Sequence, residues 1–147
     1  MKIAGYLFLV IIIAISSCSE DEPQAITPEW VNTTMEVGDW IVVGYFDDNV
    51  NETGKFNGYT FGFNINGNLA VVTPDTTYNG SWIAREEMDD NDNDTELEIT
   101  FNTGDAVLDE LSDDWNVAYI EENKIELSDE VNDLLPDDED VLVFQKK

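Results

Sequence analysis

Residues 58–73 read GYTFGFNINGNLAVVT, and this stretch decides the fold. Tyr59, Phe61 and Phe63 alternate with small or polar residues, which is typical of a strand with one buried face. The Asn-Gly pair at 66–67 is the strongest short signal for a hairpin turn, because both residues tolerate the positive φ angles that such a turn needs. A second apolar run follows directly. The stretch therefore predicts two antiparallel strands joined by a tight turn.

Similar runs continue on both sides of this hairpin, separated by Gly, Asn, Asp or Pro. In chain order, the eight predicted strands are 39–46, 58–64, 68–73, 77–85, 95–102, 115–121, 124–128 and 141–146. Eight strands, each with one buried and one solvent-exposed face, predict an all-β, antiparallel, up-and-down barrel. Such a barrel leaves no strand edge exposed. A β-sandwich is the alternative. One short helix is predicted between strands five and six, where AVLDEL at 106–111 has helical spacing.

Composition limits the classes of function. The chain has 147 residues, enough for one modest domain, and 33 acidic residues against 6 basic ones give a net charge of −27. A field of that sign repels nucleic acid. The sequence contains no histidine, which excludes a Ser-His-Asp triad and any imidazole metal site. We therefore predict no nucleic-acid partner, no cofactor and no enzymatic activity.

The amino terminus has the pattern of a processing signal. Lys2 precedes an apolar run at 3–15, which is too short to span a bilayer but matches the central region of a signal peptide. The ISSC motif that ends at Cys18 resembles the lipobox of bacterial lipoproteins. This resemblance implies that residues 1–17 are a signal peptide and that the thiol of Cys18, the single cysteine, carries a lipid. The alternative is an ordinary secreted protein with a stray cysteine.

The rest of the chain divides into a tether and a domain. Residues 18–28 are acidic, contain two prolines and lack periodicity, so we expect a tether there and a barrel domain at 29–147. Ser19 resembles an outer-membrane sorting signal, and the acidic residues 20–22 resemble the surface-export tags of Bacteroidota lipoproteins. These resemblances imply an envelope protein that is attached to the outer membrane through Cys18 and exposed at the cell surface.

The triplet Gly38-Asp39-Trp40 resembles the Gly-x-Trp signature that opens the first strand of lipocalins. Further stretches resemble the uncharacterised lipocalin-like lipoproteins of Bacteroidota. They are GYTF at 58–61, TYNGSW at 77–82, LSDDW at 111–115 and KIEL at 124–127. The resemblance implies that Gly38 and Trp40 form the signature that closes one end of the barrel. Lipocalins stack a late arginine on this tryptophan, and here Lys146 would have to take that place because the single arginine is Arg85.

The interior of the predicted barrel offers the candidate binding site. Eight strands enclose room for packed side chains or for one small ligand. The candidate ligand-binding residues are Phe61, Phe63, Trp82, Leu97, Ile99, Phe101 and Trp115. If they line a cavity, the protein binds a small hydrophobic molecule. If they fill it, the protein is a surface interaction or structural lipoprotein with a solid core and acidic loops, and its protein partner is unknown.

Acidic loops are expected at two places. In an up-and-down barrel, the pairs at 47–48 and 113–114 and the run 137–140 would ring the end away from the tether. The stretch MDDNDNDTE at 88–96 suits calcium in composition but fails the EF-hand template, since its sixth and twelfth positions lack Gly and Glu. A solvated loop is preferred over a metal site there. The candidate ligands of a non-specific calcium contact are Asp90, Asp92 and Asp94.

Overall fold

The computed structural model describes residues 24–88, 93–129 and 140–147. Nine strands form one antiparallel sheet, and pairing between its first and last long strands closes the sheet into a barrel. The strands are β1 (Trp40–Asp47), β2 (Val50–Asn51), β3 (Thr60–Phe63), β4 (Asn68–Val72), β5 (Thr77–Met88), β6 (Asn93–Thr100), β7 (Asp113–Glu121), β8 (Lys124–Ser128) and β9 (Val141–Lys146). The predicted eight-stranded up-and-down barrel is confirmed, with the two-residue strand β2 in addition.

In the part of the chain that the structure describes, three helical segments accompany the strands: α1 (Pro28–Met35), a 3₁₀-helix (Thr53–Phe56) and α2 (Ala106–Asp109). Helix α2 confirms the helix predicted between strands five and six, although it ends before residue 111. Helix α1 was not predicted, and the expectation that only 106–111 is helical was wrong. Its start is nevertheless well formed, because Thr27 Oγ1 accepts a hydrogen bond from Trp30 N at 3.3 Å and proline occupies the first turn.

The hairpin at 58–73 folds as its sequence predicts. Strands β3 and β4 pair in antiparallel register, with Phe63 opposite Leu69. Gly67 occupies the turn with φ of 77°, a conformation that favours glycine. Its amide donates to Asn64 O at 2.9 Å. The register places the aromatic face of β3 towards the inside of the barrel, where Phe61 and Phe63 are buried.

The two ends of the barrel are built differently. At the end where β1 starts, which we call the proximal end, α1 packs with Val31 and Met35 fully buried. Trp40 Nε1 donates to Met35 O at 3.0 Å and so ties α1 to β1. The opposite end, which we call the distal end, carries the 3₁₀-helix and α2, because the β1–β3 and β6–β7 connections both lie there.

One join in the barrel has little strand pairing. Strand β1 pairs with β9 at six positions but, within the described residues, with β3 only at Trp40 opposite Phe61. Towards the distal end, β1 pairs instead with β2, which folds back on it. We call this join the β1–β3 seam. Its distal part is filled by the 3₁₀-helix rather than by backbone ladder hydrogen bonds.

Candidate functional site

The structure brings the seven candidate ligand-binding residues together in the barrel interior. They come from β3, β5, β6, β7 and the residue after β6, and each is at most 6% exposed. All belong to one apolar cluster. The members of this predicted set are Phe61, Phe63, Trp82, Leu97, Ile99, Phe101 and Trp115. The alternation that predicts a buried face for Phe61 and Phe63 agrees with their burial in the structure.

Aromatic rings meet in the middle of this cluster. The ring of Phe144 lies 5.1 Å from that of Phe61 and 5.5 Å from that of Phe63, measured between centroids. The Phe63 ring in turn lies 5.4 Å from Trp82. All three pairs are edge-to-face, the arrangement that aromatic quadrupoles favour. Phe144 was not among the predicted site residues, although its spacing from Leu142 in strand β9 signals an inward position.

Two short segments close the distal end, and we call them the distal lid: the 3₁₀-helix (Thr53–Phe56) and α2 (Ala106–Asp109). Phe56 is 3% exposed, while Leu108 and the following Leu111 are fully buried. Asp105 Oδ1 caps α2 by accepting hydrogen bonds from the first turn of the helix at 3.0 and 3.2 Å. Trp115 Nε1 donates to Leu111 O at 3.1 Å. The lid is therefore anchored to the interior.

An ion pair joins the two halves of the distal lid. Lys55 Nζ lies 2.8 Å from Glu110 Oε2, and it also pairs with Glu52. The hydrogen bonds that Lys55 donates, first of all the one to Glu110, raise the pKa of Lys55 above its usual value, so this lysine stays charged. Nearby, burial and the charges of Asp47 and Glu110 raise the pKa of Tyr45 to about 12. The phenol of Tyr45 therefore stays neutral beneath an acidic surface.

The proximal signature residues meet the predicted lysine. Lys146 Nζ lies 5.0 Å from the centroid of the Trp40 ring, which is within the range of a cation–π contact. Gly38 has φ of 85° and lies under the Lys146 stem, where a Cβ atom would be 3.4 Å from Cδ. Gly38 and Trp40 thus both lie beside Lys146 at the proximal end, and Trp40 is fully buried.

Carboxylates converge at the distal end in one group. Oxygens of Asp47, Asp48 and Asp140 lie within 4.8 Å of one another, close enough to share a hard cation. Asp48 N donates to Asp140 Oδ1 at 2.9 Å. Burial raises the pKa of the Asp140 carboxyl, and the neighbouring acids, first Asp129, raise it further. Of the run predicted at 137–140, only residue 140 lies among the described residues.

The structure places other acidic residues that the sequence analysis singled out away from this group of carboxylates. Asp114 does not join the distal carboxylates, since its Oδ2 lies 3.0 Å from Arg85 Nη2. Arg85 also reaches Glu96 at 2.9 Å, so it links three neighbouring strands. Among the calcium candidates, Asp90 and Asp92 lie outside the described residues. Cys18, the proposed lipidation site, also lies outside them. Asp94 is in β6, opposite Glu87.

A separate groove lies on the outside of the barrel at the proximal end. It has a volume of about 810 Å³ and opens to solvent. Its lining comes from α1, the β7–β8 hairpin and the end of β9: Trp30, Tyr119, Ile120, Glu121, Glu122, Asn123 and Lys146. This groove was not predicted, because it depends on α1. Within the described residues, no helix has the length and apolar character needed to cross a bilayer.

The fold and its interior define the chain as a small closed antiparallel β-barrel protein. No protein-family model matches the chain, and no curated protein matches it either. It is similar to the crystal structure of a DUF4847 family protein from Bacteroides vulgatus, with a TM-score of 0.50. The match covers 80% of this chain and 97% of that one, at 14% sequence identity. At that identity the likeness shows the fold alone.

Proposed function

We propose that the protein is a lipid-anchored envelope protein whose barrel binds a small apolar molecule. The observation that supports binding is an aromatic interior closed at its distal end by two short segments rather than by strand pairing. Small-molecule sites in proteins are commonly lined by apolar and aromatic side chains with few polar groups. The anchor rests on the sequence pattern at Cys18, and the proposal includes no enzymatic step.

The position of α1 supports an outward orientation of the distal lid. Nine residues separate Cys18 from Pro28, which begins α1 at the proximal end. A fully extended chain of that length reaches at most about 30 Å. A lipid on Cys18 would therefore keep the proximal end near the membrane and leave the distal lid facing away from it. A ligand would reach the barrel from the outside.

Electrostatics disfavour an anionic ligand. The net charge of −27 and the carboxylates of Asp47, Asp48 and Asp140 place negative potential around the distal end. Such a field lowers the local concentration of anions, including the carboxylates of fatty acids. A neutral, flat apolar molecule meets no such barrier. We therefore propose this class of ligand rather than an acid.

A second candidate function follows from the ring contacts. Centroid distances of 5.1 to 5.5 Å between Phe61, Phe144, Phe63 and Trp82 correspond to rings in direct contact. If this packing never opens, the barrel is a solid scaffold. The protein then acts through its outer surface and acidic loops, as a non-enzymatic interaction protein.

A matched pair of probes separates these candidates. The protein without residues 1–17, carrying Cys18→Ser so that it stays unacylated, is titrated with neutral N-phenylnaphthylamine and with its anionic analogue anilinonaphthalene sulfonate. We expect saturable binding of one neutral probe, quenching of tryptophan fluorescence, and roughly tenfold weaker binding of the sulfonate, a difference of about 1.4 kcal/mol. Absence of saturable binding by the neutral probe would establish the solid scaffold instead.

A further inference from the structure

We infer that Phe56 is the gate of the barrel: a ligand enters at the distal end of the β1–β3 seam and takes the place of the Phe56 ring. This inference rests on the proposed function, since a gate requires an interior that accepts a ligand. It adds the route of entry, the side chain that moves and the size of the group that fits. The seam, the ring and the ion pair of the distal lid each support it.

The seam is the part of the barrel wall that opens with the smallest loss of backbone hydrogen bonds. Strands β1 and β9 share six paired positions, whereas β1 and β3 share one within the described residues. Near the distal end, three hydrogen bonds hold the 3₁₀ segment and the preceding Glu52 to β1, and the longest of them runs from Thr53 Oγ1 to Tyr45 O at 3.5 Å. Glu52 N donates to Tyr45 O and Tyr45 N donates to Thr53 Oγ1, each at 2.9 Å. Few bonds must therefore break for the segment to move.

Phe56 fills the gap that this sparse pairing leaves. Its ring makes edge contacts with Tyr45 at 5.3 Å and Tyr59 at 6.0 Å, and a tilted contact with Phe61 at 6.4 Å. Phe61 then touches Phe144 in the centre of the barrel. Withdrawal of Phe56 would therefore open a path of aromatic surface from the seam to the interior. The space vacated is that of one phenyl ring, so a flat apolar group fits it.

Glycines flank the segment that would move. At Gly54, an added Cβ would meet only Asn57 Nδ2, at 3.9 Å, so this position is open. Gly58 has φ of 84° and lies against Pro74, where a Cβ would be 3.0 Å from the ring carbon Cγ. Small residues at the ends of a segment can absorb the backbone changes of a hinge. The residues 54–58 thus have a permissive position on each side of Phe56.

The ion pair between Lys55 and Glu110 acts as a latch on this gate. It connects the residue before Phe56 to α2, and both side chains are about one-third exposed, at 32% and 37%. Exposed ion pairs contribute little, so loss of this one should shift the opening equilibrium by only about twofold to fivefold. A latch of that strength holds the lid closed at rest and still allows opening.

The test compares two variants with the same change of charge. Lys55→Met removes the latch, and Lys124→Met removes an exposed ion pair with Glu126 in the β7–β8 hairpin, at the proximal end. We expect Lys55→Met to bind N-phenylnaphthylamine about twofold to fivefold faster in stopped-flow measurements. Lys124→Met should match the wild type. The same probe should bind Phe56→Ala more tightly, since no ring has to be displaced.

Amide hydrogen exchange gives a readout that does not need a ligand. The amide of Glu52 donates to Tyr45 O in β1, and the amide of Tyr59 donates to Phe56 O in the 3₁₀-helix. Lys55→Met should accelerate the exchange of both amides but not that of the β4–β5 ladder. If the probe binds but neither Lys55→Met nor Phe56→Ala changes its binding, the gate is overturned and the proposed function stands. If no variant binds the probe, Phe56→Ala included, both are overturned. Unchanged exchange in Lys55→Met also contradicts the gate, even if Phe56→Ala fails to fold.

Discussion

Gly80 allows the ring of Phe101 to pack closely against strand β5. A Cβ atom on Gly80 would lie 2.5 Å from Cδ1 of Phe101 and 2.6 Å from Thr100 O. Phe101, one of the candidate ligand-binding residues, can lie across strand β5 only because Gly80 has no side chain. The Gly80 position in an alternating strand, between Tyr78 and Trp82, therefore reflects a close approach rather than a turn.

Gly80→Ala should reduce the free energy of unfolding by about 1–3 kcal/mol, because the added methyl group overpacks the site against Phe101 and the backbone. Gly62→Ala is the matched control, since its Cβ would meet only Ala70 O at 3.8 Å, an ordinary contact. Urea denaturation of both variants measures the difference. Equal stabilities would mean that the ring of Phe101 moves aside freely.

The raised pKa of Asp140 makes the stability of the protein depend on pH. Burial and neighbouring acids raise the pKa of its carboxyl in the folded protein above the usual 3.8. The folded state then binds more protons than the unfolded state in the acidic range, so this group lowers stability as pH rises through the raised pKa. Asp140→Asn removes the repulsion and keeps an oxygen that can accept from Asp48 N.

We therefore expect Asp140→Asn to melt above the wild type at neutral pH, and the difference to vanish below about pH 3.8, where both carboxyl and amide are neutral. Thermal melting monitored by circular dichroism across this range measures it. The control is Asp39→Asn, an exposed acid at the proximal end. A lower melting temperature for Asp140→Asn at neutral pH would show that the acidic group at the distal end is stabilising, as a bound cation would make it.

At the scale of elements, α1 closes the proximal end and the distal lid closes the other. Only one of the three helical segments could be predicted from sequence. Helix α1 is rich in β-branched residues and begins at Pro28, which reads as the end of a tether, so no helical period is visible. Its place is set by long-range packing of Val31 and Met35 under the barrel, which local pattern does not encode.

Met35→Ala should reduce the free energy of unfolding by about 2–5 kcal/mol, because Met35 is fully buried between α1 and the barrel and the truncation leaves a cavity. Val37→Ala is the control, since Val37 is 60% exposed just after the helix. Chemical denaturation of the two variants compares them. A loss below about 1 kcal/mol for Met35→Ala would mean that α1 is not part of the cooperative unit.

The hairpin and the interior show where sequence is sufficient. Period-two alternation of large apolar residues places Phe61 and Trp82 inside the barrel, and an Asn-Gly pair defines the turn before β4. Phe56 could not be found this way, because it lies in the turn-rich stretch NETGKFNG, outside any alternating run. Its burial comes from contacts with Tyr45 and Phe61 across the seam. Likewise, the pairing of Asp114 with Arg85 depends on strand register.

At the scale of the whole molecule, the closed barrel and the acidic surface are compatible with the proposed amino-terminal lipid anchor. Within the described residues, the pairing of β1 with β9 closes the sheet and leaves the β1–β3 seam as its sparsely paired join. The high negative charge keeps such a molecule soluble and apart from its copies. The negative charge opposes binding to an anionic membrane surface, so the proposed lipid on Cys18 would supply the attachment to the membrane.

Cys18→Ser should abolish incorporation of labelled palmitate into the full-length protein, because the sulfur is the proposed site of acylation. The substitution would also leave the apolar segment at 3–15 attached, so the measurement is palmitate labelling and not recovery in the membrane fraction. Ser19→Ala is the control and should still be labelled. Labelling of Cys18→Ser would contradict the lipid anchor without affecting the account of the barrel.

The central claim is that the barrel interior accepts a small neutral apolar molecule at its distal end. An NMR titration of the unacylated protein with N-phenylnaphthylamine tests it most directly, because it locates the bound probe. We expect shifts that saturate at one equivalent and are largest at Phe56, Phe61 and the indole of Trp82. Shifts confined to the proximal groove beside Trp30, or no saturable shifts at all, would contradict it.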